Sequence, residues 1–291
     1  MPELKALYQP GTLAEAQSLL EEHGERARPL AGGTSLVLSK SAKVEVLVDL
    51  SRVGLDRIED GPGPGELRIG AMVTCSALRR FLAARPPTAL SDAAGSVGSR
   101  VLQNHVTVGG NCVMVYAWSD LPVVMLALEG TFEIQRRAAA GEDTRRSLAA
   151  DAFFSGHPTR SLAEGELVVA VNVPGPGSGQ GSAHLKFCRN AADQALASAS
   201  VRVELDQGVV RQARVVVGAV RGLPQLLSET SDSLLGKEPD AQNLSMAADL
   251  AGREAKVSSD FKASAEYRTQ LVTTIVEDTL SLALSRAGGN Q

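Results

Sequence analysis

The sequence has only three cysteines, Cys75, Cys112 and Cys188, an odd number set far apart and outside any C-x-x-C spacing. That excludes a disulfide framework and a cysteine-held cluster, both of which need paired or closely spaced thiols. The four histidines, His23, His105, His157 and His184, are equally scattered and form no metal-ligand pattern. If the chain does redox chemistry, its redox group is organic. No apolar run approaches the roughly 18 residues of a membrane-spanning helix. The N-terminal stretch MPELKALYQPGTL lacks the charged start and apolar core of a secretory signal. A soluble, cytoplasmic protein without membrane insertion is the expectation. A formal net charge of -4 without a long basic run offers no face for a nucleic-acid backbone.

What is present is enough chain, 291 residues, for about two domains. GTLAEAQSLLEEHG reads as a helix capped by Thr12, with Glu15 completing a capping box and Gly24 closing the end. RARPLAGG then reads as a short strand entering a glycine turn, and VEVLVDLS, residues 44–51, as a buried strand. These make a small α/β lobe, residues 1–54. From residue 55 two strands flank the Gly/Pro turn at 61–65, and a helix follows from Thr74 with Ala77, Leu78, Phe81 and Leu82 on its apolar side. A helix over 88–97 and strands over 131–136 and 167–173 fill the rest of a second lobe, 55–176. Strands and helices are interleaved without the regular alternation of a doubly wound parallel sheet.

PGPGSGQGS, residues 174–182, marks a linker, narrowed to 177–182, because its composition holds neither a helix nor a central strand. Strands over 183–188, 197–204 and 209–220 and a last helix over 264–286 then predict a separate C-terminal domain, 183–291, with an antiparallel sheet covered by helices. Tyr267, Leu271 and Ile275 are placed on one face of that helix.

Two stretches can carry chemistry. RPLAGGTSLVLS, residues 28–39, and HVTVGGNCVMVYAWSDLP, residues 105–122, each set a glycine pair after a β-favouring step, beside small polar residues. Glycine lets main-chain N–H groups approach an anion, and consecutive N–H groups form a positive nest. Two such turns suit the two phosphates of a dinucleotide, with a following helix adding its dipole. Each alone also reads as an ordinary turn. Neither matches G-x-G-x-x-G or a loop ending in G-K-[ST].

Taken in order, RPLAGGTSL, LVDLSRV, LRIGAMVTCSAL, TVGGN…SDLP and LAEGELVVAVNVP, followed by LKFCRNAADQALASASVRVEL and SAEYRTQLV, resemble the FAD-binding medium subunit of molybdenum hydroxylases. That family includes the flavoprotein subunits of carbon monoxide dehydrogenase and bacterial xanthine dehydrogenase. The resemblance covers nearly the whole chain. It implies an α+β fold: a two-lobed FAD-binding domain of the vanillyl-alcohol-oxidase (PCMH) type, then a small α/β C-terminal domain. It also implies that Ala31, Gly32, Gly33, Thr34 and Ser35, with Leu36, form the first FAD pyrophosphate loop, and Thr107, Val108, Gly109, Gly110 and Asn111 the second. Asp120 matches an aspartate near the ribityl and phosphate part, and Lys186 a lysine beside the flavin ring. Val97 and Val168 match positions that touch the cofactor through apolar surface.

Departures from the family pattern fall beside the second loop. Gln103 stands where an arginine is usual and Val106 where a glycine is, while Tyr116 and Ala117 replace serine and proline and Trp118 is an intrusion. An aromatic there either stacks near the ring or packs in a core or subunit interface. Cys112 reads as a small buried residue. Thr34 stands where covalent relatives carry histidine after the first glycine pair, so the FAD is expected to be non-covalent. Three scattered cysteines are too few for the extra iron–sulfur cluster of the 4-hydroxybenzoyl-CoA-reducing subclass.

The resemblance implies an electron-transfer subunit with no catalytic side chain of its own. Molybdopterin would reside on a large partner subunit and two [2Fe–2S] clusters on a small one, in a dimer of heterotrimers, with NAD or a quinone as acceptor. Two other readings remain at this level. One is a stand-alone flavin oxidoreductase of the same superfamily, which needs its own proton donor, and the other is a scaffold that kept the fold and lost flavin.

Overall fold

The computed structural model describes residues 4–36, 44–137 and 143–288. Residues 37–39 of the first glycine stretch lie outside them. The first lobe is β1 (Ala6–Tyr8), α1 (Leu13–His23), β2 (Ala27–Leu30) and β3 (Val46–Asp49), its strands parallel in the order β1-β3-β2. Thr12 caps α1 by accepting from the Glu15 N–H at 3.2 Å. The Glu15 carboxylate, however, accepts from the Gly11 N–H at 2.9 Å, one residue before the capping-box position. Gly24 ends the helix at φ 51°, its N–H donating to the Leu20 carbonyl.

The second lobe is an antiparallel sheet in the order β4-β5-β8-β6-β7. Its strands are β4 (Ile58–Asp60), β5 (Leu67–Gly70), β6 (Thr131–Arg137), β7 (Asp143–Ala149) and β8 (Leu167–Val173). Between them come α2 (Cys75–Leu82), α3 (Ala89–Ser96), α4 (Arg100–Gln103), α5 (Val108–Val113), α6 (Asp120–Ala127), α7 (Ala150–Phe153) and α8 (Pro158–Ser161). The Thr74 and Thr88 side chains cap α2 and α3 as their sequence positions predict. Strand β8 is central and buried almost throughout, which is why its sequence, LVVAVNV, is a continuous apolar run rather than an alternation. Phe132 and Phe153 stack at 3.9 Å at the centre of this lobe. The buried Gln17 amide of α1 donates to the Gln135 carbonyl at 2.9 Å and ties the two lobes together.

The last part of the chain is an antiparallel sheet in the order β12-β11-β10-β9. It comprises β9 (Gln180–Phe187), β10 (Ala197–Asp206), β11 (Val209–Gly218), β12 (Gln225–Leu226), α9 (Ser228–Ser233), α10 (Ala241–Glu254) and α11 (Ala265–Gly288). Helix α11 covers one face, and α3 and α6 of the second lobe cover the other. The alternation in β11 serves both: Val215 and Val217 join the α11 core, and Val216 joins the second lobe's core. Leu271 and Ile275 are buried in this core, but Tyr267, one turn earlier, is half exposed.

Strand β9 begins at Gln180, inside the stretch read from sequence as linker. It is an edge strand, and its glycine has a packing reason. A Cβ on Gly181 would lie 2.1 Å from the Ala283 carbonyl oxygen, so the α11 backbone rests directly on the strand. Gly175 likewise packs against the Gly65 backbone. Glycine richness here reflects close backbone approach as well as chain freedom.

Candidate functional site

Where β2 ends, residues 31–36 turn away across the top of the first lobe. Gly33 adopts φ 73°, which favours glycine. Gly32 is constrained from outside: a Cβ there would fall 1.6 Å from the His105 carbonyl oxygen. The first glycine stretch is therefore pressed against the main chain that leads into the second. Between the lobes lies a cavity of about 570 Å³, a size suited to a small molecule or cofactor fragment. Residues 31–36 all line it, as do Thr107, Gly109, Gly110, Asn111 and Val168. Among the described residues, no hydrogen bond takes up the N–H groups of Gly32, Gly33, Thr34 and Ser35. Arg28 also lines the cavity, but its guanidinium donates to the Glu25 and Ala27 carbonyls. An anion in this cavity would be met at the first loop by main-chain donors and hydroxyls.

The second glycine pair is built differently. Gly109 and Gly110 sit inside the first turn of the short helix α5, with Thr107 as its cap. The Val108 N–H donates to the Val73 carbonyl, that of Gly109 to Ala71, and that of Asn111 to Thr107, each at 2.9 Å. The Gly110 N–H donates to Thr107 Oγ1 at 3.1 Å. A Cβ on Gly109 would come within 2.6 Å of the Ala71 Cβ, so glycine is needed there for packing on the chain after β5. The main-chain donors of residues 108–111 are thus already paired. Val108 is buried outside the cavity lining. Sequence reading gave the two pairs the same job because it could not see that one of them is helical.

Asp120 and Lys186 come together, though neither lines the cavity. Lys186 Nζ donates to Asp120 Oδ2 at 3.0 Å, with both side chains nearly buried. His184 Nε2 lies 3.4 Å from Asp120 Oδ1, and its Nδ1 is 2.7 Å from Ser200 Oγ. At that separation the His184–Asp120 contact is an ion-pair distance rather than an aligned hydrogen bond, and Oδ1 has no hydrogen-bond partner among the described residues. Burial pushes the Asp120 carboxyl up, but His184 and Lys186 outweigh it and hold the group below its ordinary value. His184 was read in the sequence only as one of four scattered histidines; its signal was the i, i+2 spacing to Lys186, which puts both on one face of β9.

Val97 closes α3 in the second lobe's core and does not reach the cavity. Gln103 is buried and donates to the Gly95 carbonyl at 3.1 Å, whereas Val106 lines the cavity. Cys112 is buried, its thiol pushed up by desolvation. The far wall runs from Thr159 to Leu167 and brings Leu162 and Glu166 to the cavity; sequence reading took residues 162–174 as a family motif but assigned only Val168 of it to the site. Glu166 is held by Arg146 at 2.7 Å.

The group implied by this donor set is a dinucleotide such as FAD, and the residues fit it. Among the described residues, the N–H groups of four residues that line this apolar-walled cleft take no hydrogen bond, and the buried Asp120 Oδ1, outside that lining, has no hydrogen-bond partner. Comparison with known proteins agrees. Residues 3–176 match the family model described as "FAD binding domain in molybdopterin dehydrogenase", and residues 183–283 match "CO dehydrogenase flavoprotein C-terminal domain". The chain is 31% identical over 285 residues to the carbon monoxide dehydrogenase medium chain of Afipia carboxidovorans, covering 96% of both. It is 31% identical over 283 residues to the 6-hydroxypseudooxynicotine dehydrogenase complex subunit alpha of Paenarthrobacter nicotinovorans, covering 95% of this chain and 93% of that one. A solved carbon monoxide dehydrogenase from Hydrogenophaga pseudoflava superposes with a TM-score of 0.88 at 29% identity, over 98% of this chain and 99% of the other. The two-lobed site and these matches together show that the chain belongs to the FAD-binding family of molybdopterin dehydrogenases, as a medium-chain flavoprotein of an oxidoreductase.

Proposed function

We propose that this chain is the electron-transfer subunit of a molybdenum hydroxylase complex. It would receive electrons from [2Fe–2S] clusters of a small partner subunit, with molybdopterin on a large one, and deliver them to an acceptor such as NAD or a quinone. Assembly as a cytoplasmic dimer of heterotrimers belongs to the same proposal. So does the division of labour between residues 1–176, in lobes 1–54 and 55–176, and residues 183–291. Among the described residues, no helix is long and apolar enough to cross a membrane.

The observation that carries the reading is the backbone contact at Gly32, which sets the donors of the first loop against the second stretch. FAD supplies the redox chemistry when bound, and the chain's task is to hold and tune it. The N–H groups of Gly32, Gly33, Thr34 and Ser35 hold the diphosphate, assisted by the Thr107 and Asn111 side chains. Val168 packs against the cofactor. Asp120, whose Oδ1 has no hydrogen-bond partner among the described residues, would accept ribityl hydroxyls, and the Lys186 ammonium paired with its Oδ2 would supply positive charge to the reduced flavin. Thr34 offers no histidine for a covalent bond, so the cofactor is non-covalent.

Purified protein should carry a flavin spectrum, and acid or heat should release the FAD. Protein that stays colourless and does not bind added FAD would overturn the site. Affinity purification from its native cell should bring down a molybdenum-containing and an iron–sulfur subunit. A fully active chain isolated without them would overturn the complex.

A further inference from the structure

Between Asn111 and Asp120 the chain makes a turn that the cofactor site described above does not use. The Tyr116 N–H donates to Ser119 Oγ and the Ser119 N–H to the Tyr116 carbonyl, closing a tight turn that stacks the Tyr116 and Trp118 rings. Their centroids are 5.0 Å apart and their planes 6° from parallel, and both side chains are half-buried. The C-terminal part of the chain clamps this turn at two points. Lys262 Nζ sits 4.7 Å from the Trp118 ring centroid, a cation–π contact, while also donating to Gln194. The Ala219 N–H donates to the Ala117 carbonyl at 2.8 Å, and Ala219 takes φ 62°. A left-handed alanine costs about 1 kcal/mol and persists only where its surroundings demand it.

The position of the turn gives the clamp a purpose. Met114, two residues before Tyr116, lines the cavity. The Tyr116 hydroxyl lies 3.4 Å from the carbonyl oxygen of Ser35, in the first loop. Two residues after Trp118 comes Asp120, paired with Lys186. Tyr116 and Trp118 do not themselves line the cavity, but their turn joins the two points that an FAD held as proposed above would span, touching the first loop through the Tyr116 hydroxyl and leading into Asp120.

We infer that Tyr116 is a positioning residue whose phenol ring packs against the flavin, with Trp118 and Lys262 holding that ring in place from behind. The inference rests on the FAD site proposed above. An aromatic pair fixed before the cofactor arrives keeps the flavin in one orientation without ordering a side chain at binding.

The test is the fluorescence lifetime of the bound flavin, because an electron-rich phenol or indole in van der Waals contact quenches it and phenylalanine does not. The FAD content of each protein is measured alongside. With FAD bound at one per chain, Tyr116→Phe should lengthen the lifetime several-fold, and Tyr116→Trp should keep it short. Tyr267→Phe, on an exposed part of α11, should leave it unchanged. Equal lifetimes in wild type and Tyr116→Phe at full FAD content would overturn the inference alone. Wild-type protein that holds no FAD would overturn both the inference and the site it rests on.

Discussion

Replacing Gly32 with alanine is the sharpest perturbation of the proposed site. The new Cβ would lie 1.6 Å from the His105 carbonyl oxygen and 2.6 Å from its carbon, against an ordinary contact of 3.4 Å or more. The obstacle is backbone, so no side chain can swing aside, and the first loop must retreat by nearly 2 Å. A shift of that size breaks hydrogen bonds from the loop N–H groups to a diphosphate that the rest of the site still holds. Two such charge-assisted bonds at about 1.5–3 kcal/mol each amount to about 3–6 kcal/mol, or about 10²- to 10⁴-fold in Kd. Calorimetric titration of the apoprotein with FAD measures this directly. Gly156→Ala is the control, because nothing lies within 4 Å of a Cβ there, and its Kd should stay within about twofold of wild type. If Gly32→Ala binds FAD within about threefold of wild type, the loop does not hold the phosphates in the way argued.

Asp120→Asn leaves the nearly buried Lys186 ammonium without a carboxylate, which should cost about 3–5 kcal/mol in denaturant unfolding. The folded Asp120 carboxyl titrates below its ordinary 3.8. Its contribution is therefore complete above that pH and is lost as pH falls through the folded value, so unfolding curves collected from neutral pH downward should lose an acid-dependent component in the variant. Gly181→Ala drives a Cβ to 2.1 Å from the Ala283 carbonyl and should destabilise the C-terminal sheet and α11 by about 1–3 kcal/mol, seen as a lower denaturation midpoint. Cys75 and Cys112 are buried, with the Cys75 thiol pushed up to about 12 by desolvation, whereas Cys188 is partly accessible. A thiol reagent should therefore modify only Cys188 in native protein and all three in denaturant.

Much of the secondary structure was legible because its signals are local. Thr74 and Thr88 cap the predicted helices, the Gly/Pro turn at 61–65 joins two antiparallel strands, and the apolar run at 167–173 is the buried β8. The glycine turn after β2 was legible for the same reason, since the left-handed conformation of Gly33 is a property of its own backbone. Where the reading differed, a distant partner was responsible. Glycines 175 and 181 resembled linker, yet they are where backbone meets Gly65 and α11. The second glycine pair resembled a phosphate turn, yet its amides answer to Ala71 and Val73. Residues 162–167 of the Thr159–Leu167 wall lie in the motif LAEGELVVAVNVP, but nothing local in it pointed to the cavity.

By itself the sequence determined the family, many of the strands and helices and the glycine turn after β2, because caps, turns and ordered motifs are encoded within a few residues of one another. Only the tertiary structure decided which groups face one another. The carbonyl of His105 explains Gly32, β9 brings His184 and Lys186 to Asp120, and Lys262 and Ala219 clamp the turn that carries Tyr116. Each of these pairs residues far apart along the chain, and no local pattern records a contact that exists only once the two lobes and the C-terminal sheet have packed together.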